Sequence, residues 1–350
     1  MKNFIISPSP HLLNNNTTKK IMWTVVICLA PATAWGIYKF GLPALIVVLC
    51  CIISSMIAEF IVNLINKDLT VFDGSAFLTG LLLGLNMPPE IPVFIPVCAS
   101  FFAIIVVKHV FGGLGNNWAN PAIAARVFAV FAWTKHMTTW TPPLSWAAAG
   151  ETVSSASVNA VSSATPLGII ASNSDKFLEM GLETPLDAIQ NWGLRLNYWQ
   201  LFIGDLPGCI GEISKLLLLI GALYLIYKKI ITLDIPVSYI GTVFLLSWII
   251  GGLPFNGKFF TGDPVFYILT GGLFLGALYM ATDMVTSPVT FKGRIIYGIG
   301  CGFFTVIIRL FGGFPEGVML AILLMNVATP LIDSLIKRKP LGYPKNLSRN

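Results

Sequence analysis

Several ionisable residues stand in or beside long apolar runs: Asp73, Lys108, His109, Arg126, Glu212, Lys215, Asp283, Arg309, Glu316 and Asp333. Charge inside a hydrocarbon layer is costly, so such residues mark ion paths, ligand contacts or structural pairs. Most lie near predicted helix ends, where a long side chain reaches water cheaply. Asp73, Arg126 and Asp283 stand apart. The two aspartates each flank an interrupted helix, and Arg126 sits one turn inside the segment opened by Asn120-Pro121. They read either as an ion path or as a structural pair or anion anchor. A second stretch, N-A-V-S-S-A-T-P-L-G at 159–168, is small, hydroxyl-rich and uncharged. Its residues alone describe an ordinary polar loop.

The run G-G-L-G-N-N-W-A-N-P, from Gly112 to Pro121, reads as a loop feeding a helix. Asn120 suits the cap and Pro121 the first turn. The first amides of such a helix suit a phosphate or carboxylate. Soluble active-site constellations are absent. His11, His109 and His136 are scattered without metal spacing, and neither a P-loop nor a G-x-S-x-G motif occurs. The chain therefore does not bind ATP in any recognisable way. Cys28, Cys50, Cys51, Cys98, Cys209 and Cys301 lie in or beside apolar spans and form no C-x-x-C pair. They read as small buried hydrophobes; a metal or cluster site shared with another subunit is the alternative.

The elements that position these residues belong to a membrane. The sequence is 55% hydrophobic and 11% charged, with a mean hydropathy of +0.78. Soluble domains carry about 25% charged residues. The expected fold is an all-α polytopic membrane protein, since helices satisfy their own backbone in lipid. About ten apolar segments follow, near 21–40, 42–64, 75–87, 91–110, 121–133, 208–227, 236–250, 266–281, 293–311 and 317–336. The third, fifth and eighth are short and broken by glycine or proline. Lys19-Lys20 before an apolar run and Ala30-Pro31-Ala32 imitates a secretory signal, but the run continues to Phe40, and it reads as a retained first span.

The net charge of +6 reports topology, not nucleic-acid binding. Placing the N-terminus in the cytoplasm puts most Lys and Arg at span ends inside, and having both termini inside requires an even number of spans, which ten provides. The chain then divides into a cytoplasmic segment 1–20, a first membrane half 21–133, an extracytoplasmic loop 134–207, a second half 208–336 and a cytoplasmic tail 337–350. Leu78-Thr79-Gly80 recurs as Leu269-Thr270-Gly271, and Phe111-Gly112-Gly113 as Phe311-Gly312-Gly313. Two five-helix halves are expected, inverted because five is odd, with a ligand or ion site near their interface.

Several of these stretches carry a resemblance. S-P-S-P-H, D-G-S-A-F-L-T-G-L-L-L-G, F-G-G-L-G-N-N-W-A-N-P-A, A-T-D-M-V-T-S-P-V-T-F-K-G-R and F-G-G-F-P-E-G-V-M-L-A-I-L-L-M-N-V-A-T-P-L-I-D resemble the D subunit of Rnf electron-transport complexes. They also resemble the B subunit of sodium-pumping NADH:quinone oxidoreductases. The length favours the Rnf D subunit.

The resemblance implies that Asn159-Ala160-Val161-Ser162-Ser163-Ala164-Thr165 is a flavin-attachment motif. In it a flavin transferase esterifies the hydroxyl of Thr165 with the phosphate of FMN. Asn159 departs from the acidic residue usual there, and Ser163 from Gly or Gln. Pro166 would hold Thr165 extended and present its side chain. Also implied are a non-covalent flavin, riboflavin, in the membrane part, and partner subunits of the complex. The setting is the bacterial or archaeal inner membrane with its lipids. The implied activity passes electrons between ferredoxin and NAD while Na⁺ or H⁺ crosses the membrane. Asp73, Arg126 and Asp283 would belong to the ion path or the flavin surroundings. A redox-free transporter on inverted repeats, and a scaffold subunit without flavin, are the alternatives.

Overall fold

The structure, a computed structural model, describes residues 17–67, 70–143, 165–180, 184–191, 197–204, 206–314 and 316–336. The segment before residue 17, the motif residues 159–164 and the tail from 337 lie outside the described residues. All regular structure among the described residues is helical.

Five helices are long and apolar enough to cross a membrane: Thr18–Phe40, Leu42–Asn66, Asp234–Phe255, Phe291–Phe311 and Val318–Leu335. Shorter apolar helices are Ser75–Leu85, Phe94–His109, Pro121–Ala132 and Lys215–Tyr227. In chain order we label α1 Thr18–Phe40, α2 Leu42–Asn66, α3 Ser75–Leu85, α4 Phe94–His109 and α5 Pro121–Ala132. Then follow α6 Pro166–Met180, α7 Pro185–Asn191, α8 Tyr198–Ile203, α9 Lys215–Tyr227 and α10 Asp234–Ile250. The expected eighth segment is two pieces, α11 Pro264–Leu269 and α12, which starts at Leu273 and runs to Met280. The long α13 Phe291–Phe311 and α14 Val318–Leu335 complete the set.

Several starts and stops have a local cause. Thr17 caps α1 through Lys20 N. Asn120 accepts from Ala122 N at 3.1 Å, with Pro121 in the first turn of α5, as its sequence predicts. Ser214 caps α9 through Leu217 N. Helix α3 ends where Asn86 turns its side-chain amide back onto Leu82 O, just before Pro88.

Outward faces are apolar. On α2, Leu49, Ile53, Ile57, Phe60 and Leu64 are exposed, while Val48, Cys51, Ser55, Ala58 and Glu59 are buried. This reverses the soluble pattern and leaves lipid as the solvent for one face. Inside, α2 packs on α3 and α4, α10 on α13, and α13 on α14; α1 with α9 and α5 with α14 join the two groups. Interhelical polar bonds such as Tyr239–Thr305 and Tyr297–Asn326, both 2.6 Å, pin the second group.

The recurring Leu-Thr-Gly motif serves two different ends. Gly80 lies inside α3, where an added Cβ would stand 2.6 Å from Cys51 O and 2.8 Å from Ile52 Cα of α2. Gly271 has φ +68 in the break between α11 and α12. Because Gly80 faces backbone, Gly80→Ala should cost about 1–3 kcal/mol; an unchanged thermal midpoint in detergent would show that α2 and α3 separate freely.

Segment 134–207 is not a plain polar strap. Its described residues build a core of their own: Leu167, Ile170, Phe177, Ile189 and Leu201 pack with Phe255, Phe266 and Tyr267. Phe177 stacks on Phe255 with ring centroids 5.9 Å apart. This core seats α6, and with it Thr165, against the membrane helices.

Candidate functional site

Among the described residues, two buried regions gather charged side chains, and α5 reaches both. The inner one begins with Glu59, which is fully buried on α2. Lys108 Nζ donates to both its carboxylate oxygens at 2.8 Å and to Ser75 Oγ at 2.7 Å. His109 Nε2 lies 2.8 Å from the second carboxylate oxygen, and Thr70 donates to the first at 2.7 Å. Ser75 in turn donates to Asp73 at 2.6 Å. A hydrogen-bonded chain thus runs from His109 through Glu59, Lys108 and Ser75 to Asp73.

The backbone explains why consecutive residues share one partner. From Phe102 to His109, α4 is a π-helix, whose wider turn brings neighbours closer to one face than an α-helix does. The second π-helix, Gly276–Met280, faces the same space. Between them lies a cavity of about 130 Å³ lined by Ser75, Thr79, Lys108, Asn120, Tyr279 and Asp283, among others. Asp283 accepts from Thr286 Oγ1 at 3.1 Å, and burial raises its carboxyl above the usual range.

The outer region surrounds Thr165. This residue is buried, accepts from Gly168 N at 3.1 Å, and offers its carbonyl to Ile169 N; it is the N-cap of α6. It lines a cavity of about 530 Å³ with Arg126, Val130, Phe131, Trp140, Ser172 and Glu316. It also lines a narrow cavity of about 20 Å³, shared with Cys209, Glu212, Lys215, Thr270 and Glu316.

Arg126 donates to Glu316 at 2.7 Å and to Cys209 Sγ at 3.0 Å. Arg309 donates to the carbonyls of Tyr267 and Thr270. Cys209, Glu212 and Glu316 offer ligand atoms within 4.8 Å of one another, a spacing suited to a metal ion, and the Arg126 guanidinium already supplies positive charge to two of them. Burial, then the nearby Glu212, pushes Glu316 up to about 8.

The structure therefore separates the three residues singled out by sequence. Asp73 and Asp283 belong to the inner region, and Arg126 to the outer one beside Thr165. Lys108, Lys215 and Arg309 are buried, so they do not reach water from helix ends as their positions suggest. Of the cysteines read as small buried hydrophobes, Cys28, Cys51, Cys209 and Cys301 are buried, Cys50 is partly so and Cys98 is exposed; Cys209 also accepts from Arg126. Glu59 escaped the sequence reading, although a carboxylate in the middle of an apolar run was the available signal. Its basic partners Lys108 and His109 lie 49 and 50 residues away.

Fold and sites together define a polytopic membrane protein with polar chemistry buried at two levels. The family described as NQR2, RnfD, RnfE matches residues 5–342, and the chain belongs to it. It is 45% identical to the D subunit of the proton-translocating ferredoxin:NAD(+) oxidoreductase complex of Clostridium ljungdahlii, over 97% of this chain and 96% of that one. It is 43% identical to the D subunit of the Na(+)-translocating ferredoxin:NAD(+) oxidoreductase complex of Acetobacterium woodii, over 98% and 96%. The D subunit of the ion-translocating oxidoreductase complex of Methanosarcina acetivorans is 33% identical over 99% and 100%.

Proposed function

We propose that this chain is the membrane subunit of a redox-driven, ion-translocating complex of the ferredoxin:NAD oxidoreductase type, with FMN esterified to Thr165. One observation carries the reading. The hydroxyl-bearing N-cap of α6 opens onto a cavity of about 530 Å³, inside the ~300–1,000 Å³ range of small-molecule sites. The names of the relatives support it. When bound, the flavin supplies electron transfer, and the protein supplies position and electrostatics.

The chain's own residues fit that task. Thr165 is a tether, neither acid nor base. The first turn of α6 presents the positive end of a helix to whatever the hydroxyl carries. Val130, Phe131 and Trp140 give the cavity apolar walls, and Arg126 and Glu316 give it a charged floor. A second, non-covalent flavin, riboflavin, belongs to the same proposal. The inner cavity, at about 130 Å³, is too small for it with its walls as they stand, so no residue is assigned to riboflavin.

Asp73 and Asp283 border the proposed route of Na⁺ or H⁺, while Arg126 belongs to the flavin surroundings. Ten spans in two inverted halves, both termini in the cytoplasm, and partner subunits of the complex complete the reading. A flavin transferase matures the chain, and its setting is the bacterial or archaeal inner membrane.

The test is intact mass and in-gel flavin fluorescence on the purified chain, with Thr165→Val beside it. Wild type should carry an added ~440 Da, FMN less water, and the variant should carry none. A bare wild-type chain made together with the transferase would remove the redox reading and favour a flavin-free transporter.

A further inference from the structure

Lys215 is the one lysine of the outer region, and it is almost fully buried, at 2% exposure. Among the described residues, no hydrogen bond or ion pair engages its ammonium. It lines the narrow cavity that Thr165 also lines. That cavity, about 20 Å³, has room for roughly one water-sized oxygen.

The charges around it do not cancel. The described charged groups of this region are Arg126, Lys215, Arg309, Glu212 and Glu316. Even with both carboxylates ionised, three cations face two anions. Arg126 is committed to Glu316 and Arg309 to two carbonyls. Lys215 lies in the field of Glu212 but forms no ion pair with it, and it shares that carboxylate with Arg126 and Arg309. An uncompensated buried charge is strongly destabilising, so the site is built for one more negative charge.

We infer that Lys215 is the counter-charge of a phosphodiester on Thr165, a positioning residue for the group that Thr165 tethers. A phosphodiester carries one negative charge and supplies an anion that the two carboxylates, even when both are ionised, do not. The narrow cavity shared by Thr165 and Lys215 would take one phosphate oxygen, and the wide cavity that Thr165 also lines would take the remainder of the group. The N-terminus of α6 adds its partial positive charge to the same atoms. This inference rests on the flavin reading above.

The experiment is a thermal-unfolding cycle on the full chain in detergent: wild type, Lys215→Met, Lys215→Arg, Thr165→Val and the Thr165→Val/Lys215→Met double variant. Intact mass establishes which chains are loaded. In the loaded chain, Lys215→Met should lower the midpoint, and Lys215→Arg should restore most of it because charge is kept. In the Thr165→Val background the sign should reverse: removing a surplus buried cation raises the midpoint. Shifts of about 2–4 °C in each direction are expected. A lysine that merely fills space would shift both backgrounds alike, and that outcome overturns the inference while the flavin reading stands. An unmodified wild-type chain overturns both.

Discussion

Replacing Glu59 by glutamine should destabilise the protein by about 3–5 kcal/mol, the usual cost of breaking a buried ion pair from one side. Glu59 is wholly buried and holds Lys108 through both its oxygens, with His109 and Thr70 on the same carboxylate. The amide keeps the shape but not the charge. It leaves the Lys108 ammonium, itself buried, facing one neutral oxygen, a hydroxyl and a nitrogen donor. The double variant Glu59→Leu/Lys108→Met removes both charges, and most of the loss should return, since neighbouring effects of this kind do not add. Chemical unfolding in mixed micelles measures all three. A Glu59→Gln chain within about 1 kcal/mol of wild type would mean that water reaches the pair.

Arg126→Met should carry the second large effect, and its size should depend on pH. Arg126 bridges α5 to the loop before α14 through Glu316 and to the loop before α9 through Cys209. Arg126→Lys should not rescue it, because a single ammonium cannot reproduce the planar fork that reaches both partners. The sign follows from Glu316. Burial, and then the neighbouring Glu212, raise its carboxyl above its value in an unfolded chain. A group raised in this way favours folding at low pH, and that contribution is lost as pH rises toward the folded value. Without Arg126 the carboxyl rises further, so the loss continues over a wider window. The variant should differ from wild type modestly at pH ~6 and by about 3 kcal/mol at pH ~9. Equal losses at both values would assign the effect to packing alone.

The sequence made much of the architecture legible where the signal is local. The expected spans at 21–40 and 42–64 lie within the observed helices 18–40 and 42–66, because an apolar run of that length has few other fates. The Asn120-Pro121 start was legible for the same reason: capping chemistry sits within two residues of the groups it satisfies. The break at Thr270–Gly272 was readable as a short eighth segment. Pairings across distance were not readable. Glu59 meets Lys108 across 49 residues, and Lys215 meets the Thr165 cavity across the segment that folds on Phe255 and Phe266. Nothing in local pattern distinguishes a lysine that reaches water from one turned inward. The π-helical stretch that brings Lys108 and His109 to one carboxylate likewise has no pattern in Phe102–His109 that an α-helix would lack.

Helix α5 begins at the inner cavity with Asn120-Pro121 and reaches the outer one at Arg126. Six residues of helix rise about 9 Å, nearly a third of a ~30 Å hydrocarbon core. For a helix lying along the membrane normal, a unit charge displaced along that stretch crosses close to a third of the transmembrane voltage. At 100 mV the field does about 0.7 kcal/mol of work on it, enough to change an occupancy ratio roughly threefold. In that orientation the membrane's electric potential would weigh on any charge moving between the two cavities, in proportion to the length of one short helix.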